Sequence, residues 1–231
     1  MANVDLPLSH VCITGSHNTF TGWLQFLLPA GAKYLRNALR RDFRAVELDL
    51  YGKNGRAYVQ HDSFWQKGYP FEHACAVIRT HGWETSGLPL FLFIDDNMGD
   101  DENVLKNAAT QVQRYLGHRV IVAKNLEKWT LSKLQDTLVI VSSRTVTRVR
   151  AWNWLVSEGM YGHKFRNFGA GEDLGEYKLQ ETRTKLTRVY PENWLLSTNH
   201  DVYRWLGKAN FVTFNTGWPW SPDRGAILLA P

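Results

Sequence analysis

The stretch "PLFLFID", residues 89–95, decides the fold. Leu90 to Ile94 are apolar without a break, and an acid follows at once. A strand with one wet face alternates apolar and polar residues, so this run predicts a strand covered on both faces. Strands of that kind belong to parallel sheets wrapped by helices. The same signal recurs in "HVCIT" (10–14), "RAVELDL" (44–50), "AYVQH" (57–61), "RVIVA" (119–123), "TLVIVSS" (137–143), "WLLSTN" (194–199) and "FVTFN" (211–215). Helical patterns lie between several of them. "KYLRNALRR" puts Tyr34, Leu35, Ala38 and Leu39 at helical spacing. "DDENVLKNAATQVQRYL" opens with acids and lines Val104, Leu105, Ala108, Val112 and Tyr115 along one face. About eight strands in 231 residues predict an α/β chain folded as a (β/α)8 TIM-type barrel, a fold of ~250 residues. Weak strand signals at 119–123 and across 151–190 predict irregularity there. No repeat, low-complexity tract or linker divides the chain, so residues 1–231 are expected to form a single domain.

Composition narrows the function classes. At 44% hydrophobic and 21% charged, the sequence is that of a globular protein with a full core. No apolar run reaches the ~18–20 residues of a membrane span, and "MANVDLPLSH" lacks the features of a signal peptide. Two cysteines in apolar surroundings, Cys12 and Cys75, predict reduced core residues and a cytoplasmic setting. A net charge of +5 and a pI near 9.2 favour an anionic partner. The basic residues form no long block, so no nucleic-acid partner is expected.

A barrel of this type collects its chemistry at the C-terminal ends of its strands. The ends here carry His17 and Asn18, Glu47 and Asp49, His61 and Asp62, Asp95 to Asn97, Ser142 and Ser143, Thr198 and Asn199, and Asn215. Two chemistries suit such a set. One is a zinc site with histidine ligands. The other is a hard cation held by oxygen from Asn18, Glu47, Asp49 and Asp95, leaving the histidines to move protons. Neither histidine has a His or Cys partner at zinc-binding spacing, which favours the second.

The segments "GSHNTF", "ALRRDFRAVELDLYG", "YVQHDSFW", "LPLFLFIDDN" and "RVYPENWLLSTNHDVYRWLGKANFVTFNTGWP" resemble, in order and spacing, phosphoinositide-specific phospholipase C. The first four are similar to the family's X region, giving an X-like half at about 1–145. The last is similar to the end of its Y region, giving a Y-like half at about 185–231. The resemblance implies a Ca²⁺-assisted attack of the inositol 2-hydroxyl on the glycerol-side phosphodiester of phosphatidylinositol lipids. Diacylglycerol and an inositol (cyclic) phosphate would be released. It implies catalytic roles for His17 (charge on the transition state), His61 (general acid) and Glu47 (general base). It implies Asn18, Glu47, Asp49 and Asp95 as calcium ligands, and Arg188 and Tyr190 as the holders of the inositol headgroup. Asp49 marks the calcium-dependent type, since the metal-independent bacterial relatives carry an arginine there.

The resemblance is imperfect at two places. The family more often has Glu where Asp95 stands, and its polyphosphoinositide-binding lysines fall near Val141 and Ser143, which carry no charge. Unphosphorylated phosphatidylinositol is therefore open as substrate. Phe26, Trp65 and Trp194 fall where the family carries an apolar ridge, so a monomer bound peripherally to an anionic membrane is expected, in its own cytosol or delivered into a host's. Two rivals stay open: a glycerophosphodiester phosphodiesterase-like hydrolase, which shares the Glu-x-Asp and His-Asp strand ends, and a catalytically inactive phosphoinositide-binding module.

Overall fold

The computed structural model of the chain describes residues 5–20, 31–61, 68–144, 147–161, 164–170, 185–191, 199–215 and 222–229. Leu90 to Ile94 lie in a strand, β5 (Leu90–Asn97), and all five are fully buried. Leu90, Leu92 and Ile94 pack outward into one apolar cluster, and Phe91 and Phe93 pack inward into another. Both faces are dry, as the unbroken run demanded.

The remaining strands in chain order are β1 (Val11–His17), β2 (Ala45–Lys53), β3 (Arg56–Val59), β4 (Tyr69–Pro70), β6 (Leu138–Ser142), β7 (Val156–Gly159), β8 (Phe165–Gly169), β9 (Leu186–Tyr190), β10 (Phe211–Asn215) and β11 (Ile227–Leu229). Eight of them form a parallel wall in the order β7-β6-β5-β2-β1-β10-β9-β8. Among the described residues β7 and β8 do not pair with each other, so the wall is a nearly closed barrel. β11 adds to β1 in the antiparallel sense.

The helices are α1 (Ala32–Arg40), α2 (Phe71–His81), α3 (Glu102–Leu116), α4 (Arg150–Asn153) and α5 (Asn199–Tyr203). α3 begins where Asp101 accepts from the backbone N–H of Asn103 at 2.9 Å, an N-cap that satisfies a donor the helix leaves open. It buries Val104, Leu105, Ala108 and Val112 against the outer cluster. α1 buries Leu35, Ala38 and Leu39. Shaving one such leucine to alanine costs ~2–5 kcal/mol. Cys12 and Cys75 are free and buried.

Two expected strands are corrected, and a third falls outside the described residues. "AYVQH" contributes β3, which folds back antiparallel on β2 through Asn54 and Gly55 at φ 51° and 69°. That Asn-Gly pair is a hairpin signal, so β3 extends β2 and stays out of the barrel wall. "RVIVA" makes a single bridge, Val120 to Leu138, and no strand. "WLLSTN" lies outside the described residues except Asn199, which opens α5. The barrel's other members are β7, β8 and β9, in and beside the stretch where the strand signal is weak.

Strand alternation fixes which residues face the interior. On β1 these are Ile13, Gly15 and His17; on β2 Ala45, Glu47 and Asp49; on β5 Phe91, Phe93 and Asp95; on β9 Leu186, Arg188 and Tyr190. The lower positions are apolar and the upper ones polar. Gly15 is required where it stands: a Cβ there would meet the Ala45 carbonyl oxygen at 2.5 Å and Thr213 Cγ2 at 2.8 Å.

Candidate active site

The turn after β1 is built around Glu47. Asn18 takes a left-handed conformation, φ 46°, and its backbone N–H donates to Glu47 Oε2 at 3.1 Å. Thr19 then locks the turn: its hydroxyl donates to the Ser16 carbonyl at 2.8 Å and accepts from the Glu47 N–H at 3.0 Å. Asparagine tolerates the left-handed region better than most residues, and threonine supplies the bridging hydroxyl. This is the local reason for the run "SHNT".

Glu47 Oε2 also lies 3.2 Å from His17 Nε2 and 2.8 Å from Arg188 Nη2. The other imidazole nitrogen, Nδ1, is 2.8 Å from Asn215 Oδ1, to which it donates when it carries the proton. Asn215 is itself fixed by Asn199: its N–H donates to Asn199 Oδ1 at 2.8 Å, and Asn199 Nδ2 donates to its carbonyl at 3.1 Å. Tyr190 stacks on the imidazole, ring centres 5.2 Å apart.

Arg188 has no exposed surface. Its guanidinium lies over Phe93 at 4.8 Å, and Nη1 donates to Asn167 Oδ1 on β8 at 3.2 Å. The Asn167 amide donates in turn to the hydroxyl of Tyr161 at 3.3 Å. A polar line of hydrogen bonds and close charge contacts thus crosses the barrel from Tyr161 through Asn167, Arg188 and Glu47 to His17.

Charge states follow from this packing. Burial works against ionisation of Glu47, but Arg188 and His17 outweigh it and hold the carboxyl well below its usual range. Burial pushes the His17 pKa down, against the pull of Glu47, so its neutral form is favoured. His61 follows β3 beside the end of β2, where the Gln60 N–H donates to the Asp49 carbonyl at 3.1 Å. It is near enough that its charge opposes protonation of His17.

Asp49 and Asp95 occupy paired positions on β2 and β5. Burial, then the charge of Glu47, raises the Asp95 pKa, with Ser143 and Asn97 hydrogen bonds opposing. Arg144 lies on the outer side, with Nη1 2.8 Å from Asp100 Oδ1 and Nε 3.6 Å from Asp96 Oδ2. Among the described residues no three acid, histidine or cysteine side chains converge as a formed metal site would. The donors nevertheless suit a hard cation in kind: three carboxylates and an amide, facing a single guanidinium.

The structure therefore brings His17, Glu47, Arg188 and Tyr190 into contact, with His61 and Asp95 within electrostatic reach. Asn18 reaches Glu47 through its backbone. Phe26, Trp65 and Trp194 lie outside the described residues. Asn215 was visible in the sequence only as a polar strand end, and Asn167 was missed because no strand was expected around it.

The family model for the phosphatidylinositol-specific phospholipase C X domain matches residues 4–143, more than half of the chain. The chain belongs to that family. The 1-phosphatidylinositol 4,5-bisphosphate phosphodiesterase delta-3-A of Danio rerio is 25% identical over 192 residues, 80% of this chain and 24% of that protein. The chain thus spans about a quarter of the length of that curated relative. The crystal structure of PLC21 from L. pealei matches with a TM-score of 0.81 at 16% identity, covering 94% of this chain and 35% of that one. A calcium-dependent phosphoinositol-specific phospholipase C from Pseudomonas sp. matches with a TM-score of 0.65 at 12% identity, covering 99% and 96%. At such identities these two structures establish a shared fold.

Proposed function

We propose that the chain is a phospholipase C that cleaves the glycerol-side phosphodiester of phosphatidylinositol lipids, acting as one catalytic barrel with an X-like half at about 1–145 and a Y-like half at about 185–231. The observation that carries this reading is His17, held by Asn215 on one nitrogen and facing Glu47 with the other, under the ring of Tyr190. A histidine fixed at both ends beside a carboxylate at a barrel mouth is arranged for proton and phosphate chemistry.

In this reading Glu47 takes the proton of the inositol 2-hydroxyl, whose oxygen forms a bond to phosphorus. His17, which takes a proton on Nε2 once the anionic phosphate lies against it, donates from that nitrogen to a non-bridging oxygen as charge develops there. His61 protonates the glycerol oxygen as its bond to phosphorus breaks, which yields a cyclic phosphate and diacylglycerol. A carboxylate paired with Arg188 is a weak base, so Arg188 moves from Glu47 to the headgroup when substrate enters. Tyr190 packs against the inositol ring. Asn18, Glu47, Asp49 and Asp95 would hold Ca²⁺, which when bound lowers the pKa of the attacking hydroxyl. The +5 chain would work at an anionic lipid surface. No helix among the described residues is long and apolar enough to cross a membrane.

Turnover of phosphatidylinositol vesicles, with the water-soluble product analysed, tests the reading. Inositol cyclic phosphate supports it. Glycerol phosphate would indicate a glycerophosphodiesterase, and no product from a folded, lipid-bound protein would indicate a binding module.

A further inference from the structure

The carboxylates at the barrel mouth are held in different ways. Glu47 Oε2 takes the Asn18 N–H and lies against Arg188 and His17. Asp95 stands level with Asp49 on the neighbouring strand. Burial and then the charge of Glu47 oppose its ionisation, and hydrogen bonds from Ser143 and Asn97 support it. Asn97 is exposed, whereas Ser143 is half-buried and built into the end of the β5–β6 pair.

At that end a side chain takes over from the backbone. β5 and β6 pair in parallel as far as Ile94 and Ser142, and the Ser143 N–H donates to the Ile94 carbonyl at 2.9 Å. In continued pairing the Asp96 N–H would next meet the Ser143 carbonyl. It donates instead to the Ser143 hydroxyl, at 2.8 Å. Val139 and Val141 pack in the inner cluster, so strand alternation turns Ser143 to the same side as Asp95. Asp96 faces the other way, where its Oδ1 accepts the Met98 N–H at 3.0 Å and Arg144 Nε stands 3.6 Å from Oδ2. A serine hydroxyl has one proton to give. With an N–H already donating to its oxygen, Ser143 turns that proton to the carboxylate of Asp95. The terminal torsion of an aspartate is broad, so such a donor decides how the carboxylate lies. Carboxylates that ligate metals are themselves hydrogen-bonded for this reason.

Building on the phospholipase reading above, in which Asp95 is one of four groups that would hold the cation, we infer that Ser143 is a positioning residue: its hydroxyl, clamped by the Asp96 N–H, holds the Asp95 carboxylate in one orientation for the cation. The clamp is local, since Asp96, Ser143 and Asp95 all lie where β5 and β6 leave the barrel wall.

Calorimetric titration of the lipid-free protein with calcium tests this apart from turnover. Ser143→Ala is expected to weaken calcium binding by about tenfold or more, the scale on which groups bonded to metal ligands act. Ser143→Thr, which keeps the hydroxyl, is expected to retain wild-type affinity. Thermal unfolding in chelator shows whether each variant folds. Should Ser143→Ala fail to fold, Ser143→Cys takes its place with the same expectation of weaker binding, because a thiol donates poorly. Wild-type affinity in the variant without the hydroxyl would overturn the inference and leave the phospholipase reading standing. Equal weakening in Ser143→Thr would trace the loss to packing and overturn it too. A wild-type protein that cleaves phosphatidylinositol yet binds no calcium would remove the metal, and this inference with it. Absence of turnover on phosphatidylinositol vesicles would sink the underlying reading, while the titration would still decide the role of Ser143.

Discussion

The carboxylate of Glu47 meets the guanidinium of Arg188 at 2.8 Å inside the barrel, where Arg188 has no contact with solvent. The pair joins β2 to β9 across the interior, two strands that are not neighbours in the wall. Removing one partner of such a pair leaves the other charge buried, at a cost of ~3–5 kcal/mol. Arg188→Met should therefore lower the free energy of unfolding in urea by that order, and Glu47→Gln likewise. The double variant should recover part of the loss. A loss under about 0.5 kcal/mol in each single variant would mean that solvent reaches the pair.

Acid should lower stability over two pH ranges. The His17 pKa is held below its ordinary 6.5, so the stability tied to its neutral form is complete above that value and declines as pH falls below it. Glu47 is held below its ordinary 4.5, so its contribution is present above that value and disappears as pH falls toward the folded-state value. Asp95 has the opposite sign: its raised pKa means that ionisation works against the fold at neutral pH. Asp95→Asn should accordingly raise the urea midpoint at pH 7, and raise it less at pH 4. Measured in chelator, a lower midpoint at pH 7 would contradict this.

Calcium dependence is expected from the oxygen-rich mouth. Chelation should abolish turnover, and Asp49→Asn should shift half-maximal activity to higher calcium by about tenfold or more. Calorimetric titration gives a readout free of catalysis, with binding weakened in the same variant. Full turnover in chelator would remove the metal from the reaction.

Membrane engagement is expected through Phe26, Trp65 and Trp194, which lie outside the described residues. Trp65→Ser combined with Trp194→Ser should cut vesicle turnover by about tenfold and leave turnover of a soluble inositol phosphodiester unchanged. Loss of both activities with loss of folded structure would return the tryptophans to the core.

What the sequence made legible was the half of the barrel with dry strands. β1, β2, β5, β6 and β10 announce themselves because their residues are apolar on both faces. β8 and β9 do not, since Asn167 and Arg188 break their apolar runs. Those residues are polar because they face the site, so function conceals the strands that serve it. "AYVQH" reads as a wall strand by its apolar pattern, but Asn54 and Gly55 spell the tight turn that folds it back as β3. Within the candidate site, residue types at strand ends and the family resemblance point to His17, Glu47 and Arg188, which the structure brings into contact. The Arg188–Glu47 pair joins residues 141 positions apart, a distance over which no local pattern carries information.

β1 lies between β2 and β10, so Ile13 pairs with Phe211 and its flank is closed by residues almost 200 positions later. During synthesis that flank stays bare until residues 211–215 have emerged. Unpaired strand edges recruit other chains, and contacts so distant in sequence form slowly. Residues 4–143, the part that carries the family match, contain β1 without β10 or β11. Made alone, this piece should collect in aggregates. Co-expression with residues 144–231 should restore soluble protein, because the late strands act as a seal on the early ones.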